Sequence, residues 1–260
     1  MRARGTVAVL ATLVVTSCSG PADPAPGPGS GRPASPEETA VTRSPSSPSP
    51  SASASPRPSL DAATQQRVDR RLLAAAGDGD ARSAARALRD GADVEARDAR
   101  RRTPLLLAAA ADHVEVAELL VHVGADPDAV DDRSDTPWLV TGVTGSVAMG
   151  RLLLDAGADL TLRNRFGGLS PIPASERGHV AYVRWVTTTD VDLDHVNDLG
   201  WTALLEAVVL GDGGPRHRAV VQALLDAGAD PTIRDRQGRT ALQLAEARGL
   251  SAMAAVLRRG

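Results

Sequence analysis

The sequence predicts an all-α solenoid of about six helix-turn-helix units with loop fingers, standing behind a disordered N-terminal tether. Three observations carry that expectation. The triplet Gly-Ala-Asp starts at Gly91, Gly124 and Gly157, 33 residues apart, and returns at Gly228. A hydroxyl residue follows each acid at a nearly fixed distance: Thr103, Thr136, Thr202 and Thr240 stand ten residues after an Asp, and Ser170 eleven. Composition also breaks near residue 60, where a Pro- and Ser-rich stretch gives way to Ala, Leu, Arg and Asp.

The chain opens with a basic start, Arg2 and Arg4, then an uncharged and mostly apolar run from Gly5 to Val15. Eleven residues cannot cross about 30 Å of hydrocarbon as a helix, which needs roughly 20, but they have the length of a signal-peptide core. The run ends in Val15-Thr16-Ser17-Cys18, which resembles a bacterial lipobox. That resemblance implies that residues 1–17 are a lipoprotein signal peptide and that Cys18 carries the lipid. Cys18 is the single cysteine, so no internal disulfide is available to the domain.

Residues 18–61 form the expected linker. Between 19 and 59 there are 11 of the 18 prolines and 11 serines, too little apolar surface to offset the entropy of ordering. As a coil, 41 residues span about 35 Å, more with polyproline II bias. The stretch is a tether lifting a domain from a membrane, a Pro-rich ligand, or a glycosylated stalk.

The repeat domain is expected over 62–260, in units of about 66–98, 99–131, 132–164, 165–197, 198–235 and 236–260. Thr103 offers a hydroxyl cap, Pro104 fits the first helical position, and strong helix formers follow. Val114, Val116, Ala117, Leu119, Leu120 and Val123 then lie on one helical stripe. Gly124 stands where a left-handed C-cap is wanted. Each unit is thus helix, tight turn, helix and extended loop, and neither helix can bury its apolar face alone, so units must stack. From Leu153-Leu-Asp-Ala-Gly-Ala-Asp to its copy at Leu224 the chain counts 71 residues, one unit of 33 and one carrying five more. The surplus is placed in a Gly-rich loop at Gly211–Arg218, outside the repeat, and Leu225 is placed on the core side of the helix before Gly228. The fourth unit is the most irregular, with Pro171 and Pro173 confined to the first turn of a short helix; the lowest local stability is expected there.

The period, Thr-Pro-Leu at 103–105 and Gly-Ala-Asp after Leu-Leu resemble the ankyrin repeat, over essentially all of 63–260. The family's His after Thr-Pro-Leu is absent; Leu106, Leu139, Pro173, Leu205 and Gln243 stand there. The resemblance assigns that His to bonds between neighbouring turns, so this array is expected to rely more on apolar contacts.

Charge and motifs exclude several functions. A net charge of −3 leaves no nucleic-acid footprint, and the basic run Arg97–Arg102 is interrupted by Asp98 and has no interleaved aromatics. There is no nucleophile elbow, phosphate loop or metal-ligand spacing, so no enzyme, metal or cofactor is expected. Asp190–Asp198 suggests a calcium loop but lacks the required Gly and terminal acid. His113 and His179 open second helices and are expected to be structural, whereas His122, His195 and His217 show no common spacing. Trp138 and Trp185 are expected in the core.

What remains is binding. The resemblance implies a concave surface of loop tips and first helices that recognises a folded protein. The tip positions are Arg100 and Arg102, Arg133 and Asp135, Arg165 and Phe166, Leu199 and Trp201, and Gln237 and Arg239. Exposed aromatic and Arg side chains are typical interface anchors; Trp201 either joins them or packs on its neighbouring turn. The expectation is a monomeric, membrane-tethered module that docks a protein partner, such as an exported enzyme, at the outer face of a bacterial cell membrane. The alternative is an inhibitor or immunity-type protein that blocks a toxin or hydrolase.

Overall fold

The computed structural model describes residues 60–260. Cys18, the signal peptide and all but the end of the expected linker lie outside the described residues. Twelve helices follow in order among the described residues: α1 (Ala62–Asp78), α2 (Ala81–Arg89), α3 (Pro104–Ala110), α4 (Val114–His122), α5 (Pro137–Thr144), α6 (Val147–Asp155), α7 (Pro171–Glu176), α8 (Val180–Val186), α9 (Ala203–Val209), α10 (Pro215–Asp226), α11 (Ala241–Ala247) and α12 (Ser251–Leu257). They form six antiparallel pairs. Odd-numbered helices pack on odd-numbered neighbours and even on even, giving two layers with one continuous core. No strand occurs among the described residues; the all-α repeat solenoid is the observed fold.

The helix starts follow from local chemistry. Thr103, Thr136, Thr202 and Thr240 each accept, through the hydroxyl, the backbone N–H three residues on, satisfying one orphan donor of the first turn. Ser170 makes no such bond and α7 is only six residues long. Gly91, Gly124, Gly157 and Gly228 adopt φ of 87° to 95° at the helix ends, as the repeated triplet requires. The fourth pair has no such glycine. There the Thr187, Thr188 and Thr189 hydroxyls donate to the carbonyls of Arg184, Trp185 and Val186 in the last turn of α8.

Of each Leu-Leu pair the first side chain is buried, Leu153 and Leu224, while Leu225 is only partly covered. The core-side residue before Gly228 is therefore Leu224 rather than Leu225; the helical turn carries the second leucine towards the edge. Trp138 is fully buried in α5 and meets Trp185 of α8 edge-on at 6.0 Å, and Tyr182 lies 5.5 Å from Trp185. Trp185 is partly buried, at the margin of this cluster.

Two expectations need correction. The array does not depend on apolar contacts alone between units, because other histidines bridge them. His113 Nε2 bonds the Gly77 carbonyl at 3.1 Å, His179 the Val143 carbonyl at 3.0 Å, and His217 the Glu176 carbonyl at 2.8 Å. His195 reaches the Gly167 carbonyl at 2.6 Å within the fourth unit. Since 217 minus 179 is 38, His217 is the counterpart of His179 after the five-residue surplus, so its spacing was regular once the insertion was counted. The surplus is also not a free loop. Pro215 begins α10, Asp212 holds His217 Nδ1 at 2.7 Å, and His217 is buried.

Candidate functional site

Between each helix pair and the next, the chain makes a finger. At its base stands Asp98, Asp131, Asn164, Asn197 or Asp235. One side-chain oxygen accepts the backbone N–H groups two and four residues on: Arg100 and Arg102, Arg133 and Asp135, Phe166 and Gly168, Leu199 and Trp201, Gln237 and Arg239. This double acceptance bends the loop into a hairpin-like tip without needing a sheet. The residue between those two donors is left-handed in all five: Arg101, Ser134, Gly167, Gly200 and Gly238, with φ from 60° to 86°. Neighbouring fingers are tied by main-chain bonds from Asp132 to the Arg100 carbonyl at 3.1 Å and from Asp198 to the Phe166 carbonyl at 2.9 Å.

The tip residues divide by what they touch. Arg102 pairs with Asp98 at 2.7 Å and Arg239 with Asp235 at 2.8 Å, four residues back in their own fingers. Burial works to raise both aspartates, but hydrogen bonds from those arginines and from the backbone outweigh it and hold the carboxyls below the usual range. These two arginines are thus engaged in holding their own turns. The Asp-x-x-x-Arg spacing was the available signal. Arg165 stands 3.7 Å from Asp135 and its guanidinium lies 4.4 Å from the centre of the Phe166 ring. Burial and the nearby Asp131 raise the Asp135 carboxyl against the pull of Arg165 and Arg133. Arg100, Arg133 and Gln237 are exposed. Trp201 is half-buried and packed against the core, which leaves Leu199 as the freer apolar side chain of that finger.

The fourth and fifth helix pairs bring the apolar tips to one place. Phe166, 49% exposed, and Leu199, 46% exposed, border a cleft of about 230 Å³ whose other walls are Ile172 and Pro173 of α7 and Leu210 beyond α9. Asn164, Gly168, Glu176, Asn197 and Glu206 complete its lining. Glu206 lies on α9 only 4% exposed, with one oxygen accepting from Asn197 Nδ2 at 2.9 Å. Burial pushes its carboxyl up to about 7, against the Asn197 bond, and the Glu176 charge adds to the rise.

Glu206 was missed at the level of sequence, although a signal existed. Four residues after each capping hydroxyl stand Leu107, Val140, Ala174, Glu206 and Leu244, so one acid interrupts an apolar column. No group of His, Cys, Asp and Glu suited to a metal ion occurs among the described residues.

Comparison with known proteins agrees with this architecture. A model of three ankyrin repeats matches residues 72–164, and a single ankyrin repeat matches 199–236. The ankyrin repeat protein YahD of Escherichia coli is 45% identical over 94 residues, 36% of this chain and 47% of that protein. The chain thus spans about half the length of that curated relative. An ankyrin repeat domain crystallised from Acinetobacter baumannii superposes with a TM-score of 0.68 at 40% identity, over 72% of this chain and 96% of that one. Another ankyrin repeat protein gives 0.70 at 34% identity, over 74% and 98%. The ankyrin repeat domain of Bcl-3, a member of the IkappaB family, gives 0.65 at 28% identity, over 73% and 85%.

Proposed function

This chain belongs to the ankyrin repeat family, and from that premise we propose that it is a membrane-tethered binding module whose finger face docks a folded protein. Ankyrin repeats are protein-interaction modules, which leaves the surface and the location to be argued. One observation carries the choice of surface: Phe166, Leu199 and Leu210, three of the most exposed large apolar side chains among the described residues, surround a single cleft. Apolar anchors around a concavity, with charged neighbours such as Arg165 and Arg133 beside them, have the make-up of an interaction hot spot.

The location rests on Val15–Cys18 and the Pro/Ser-rich stretch that follows. A diacylglyceryl group on Cys18 would hold the module at the outer face of the bacterial cell membrane, and the linker would give it reach. Full-length protein grown with labelled fatty acid tests this. The label is expected in the membrane fraction and lost in Cys18→Ala; unlabelled, soluble wild-type protein refutes the anchor. The surface is tested separately, with a partner recovered by cross-linking in the cell envelope. The variant Phe166→Ala with Leu199→Ala is expected to weaken its binding by at least about 2 kcal/mol with helicity unchanged.

A further inference from the structure

We propose that the cleft between α7 and α9 is a socket for an arginine side chain of the docked partner, with Glu206 and Glu176 receiving its guanidinium and Phe166 and Leu199 covering its stem. The inference deepens the reading of the finger face as the docking surface and rests on it.

The argument begins with charge complementarity. Glu206 is almost fully removed from water, yet no cation pairs with it, or with Glu176, among the described residues. Its one polar partner is the Asn197 amide, a neutral group that binds a single oxygen. Two carboxylates in a cleft whose other side chains are apolar or neutral amides leave a negative site with no resident counterion. A buried carboxylate is costly unless paired, and the partner it lacks is a cation brought from outside.

Shape selects the kind of cation. The cleft, about 230 Å³, holds several water volumes of about 30 Å³ each, enough for a guanidinium and part of its stem. The planar guanidinium is less strongly hydrated than an ammonium and can bridge two carboxylates through its fork of donors. Apolar walls suit its methylene stem. The Phe166 ring already carries one guanidinium, that of Arg165, 4.4 Å from its centre, so its environment accepts such stacking.

Ionisation of Glu206 supplies a second readout. Burial holds its carboxyl up to about 7, and an entering cation favours the charged form, so binding expels a proton near neutrality. The charged groups on the elements packed against α9 are Glu176 on α7, Arg216, His217, Arg218 and Asp226 on α10, and Glu246 on α11, with Arg177 and Arg248 just beyond α7 and α11. His217 is engaged by Asp212, and Arg248 by the Val208 and Gly211 carbonyls. Glu176 alone of these bears on the Glu206 carboxyl.

The test uses the full-length chain and two small probes of equal shape, n-butylguanidinium and neutral n-butylurea, followed by amide resonances in solution. At pH 8 the guanidinium is expected to shift the signals of Phe166, Asn197 and Leu199 saturably, at least about ten-fold more tightly than the urea, a difference equivalent to one charged contact. Glu206→Gln, which keeps the carbonyl that accepts from Asn197, is expected to weaken the guanidinium at least about five-fold, and so is lowering the pH of the wild type to about 5.5, well below the carboxyl's midpoint. Equal binding of both probes, unaltered binding by Glu206→Gln, or no guanidinium binding at all overturns the proposal. Those failures are distinct from failure of the docking face, which is read from partner affinity in the Phe166/Leu199 variant.

Discussion

Arg101 and Ser134 hold φ of 61° and 60° at the finger position where the later units carry Gly167, Gly200 and Gly238. A left-handed backbone costs a residue with a Cβ about 1–2 kcal/mol. Glycine returns roughly 0.5–1 kcal/mol of that through its freer unfolded chain. Arg101→Gly and Ser134→Gly are therefore each expected to stabilise the protein by about 0.5–1 kcal/mol, read as a higher urea midpoint with unchanged slope. Glu206 gives a pH-dependent counterpart. Its folded carboxyl titrates near 7, above the ordinary 4.5. The folded state therefore binds more protons between those values, and stability falls as pH rises across that window. Glu206→Gln is expected to melt above wild type at pH 8 and level with it at pH 4, the difference opening between about 4.5 and 7. A constant offset across the range would show that ionisation is not the source. A residue that lowers the stability of the fold while lining a cleft beside the fingers is the kind that function retains.

Helix contacts turn on two glycines that the repeat pattern did not single out. A Cβ at Gly142 of α5 would lie 2.0 Å from the Ser170 carbonyl oxygen, and one at Gly150 of α6 would lie 2.4 Å from the Trp185 ring. Overpacking costs about 1–3 kcal/mol and occasionally more, while alanine's helix propensity returns at most about 1. Gly142→Ala, blocked by backbone, is expected to lose about 2 kcal/mol in chemical denaturation; Gly150→Ala, blocked by a side chain that can shift, is expected to lose less. Leu224→Ala is expected to lose about 2–5 kcal/mol and Leu225→Ala clearly less, because only the first is fully buried. Deleting Asp212–Arg216 removes the His217 partner, the Gly214 cap and the first two residues of α10, so a marked loss of stability is expected where a free loop would give none. The helices were legible in the sequence because caps, turns and apolar stripes are local. The start of α10 was legible too, since Gly214-Pro215 is a helix-opening pair, but the count of surplus residues hid it. What the sequence concealed was non-local. The contacts of Gly142 and Gly150 lie one unit away, and the burial of Glu206 depends on how α7 and the Asn197 finger close over it.

Stacking makes the whole molecule a chain of nearest-neighbour interfaces. Each carries its own polar link: the His113, His179 and His217 bonds on the helix side, the Asp132 and Asp198 backbone bonds on the finger side, and, at the last interface, the bonds from Arg248 to the Val208 and Gly211 carbonyls. The array is thereby a frame on which tip residues can change without loss of fold, and it brings Phe166 and Leu199 to the lining of one cleft. The tip positions were readable from the period alone. Their division into turn-holding arginines and free apolar anchors was not, because it depends on which side chains fold back onto Asp98 and Asp235. The most direct measurement of the central claim compares partner affinity for three full-length proteins: wild type, Phe166→Ala with Leu199→Ala, and Val123→Ala, an exposed apolar residue at the end of α4, away from the fingers. The account predicts that the double variant loses at least about 2 kcal/mol of binding while Val123→Ala stays within about 0.5, with all three melting alike. Undiminished binding by a normally folded double variant would contradict it.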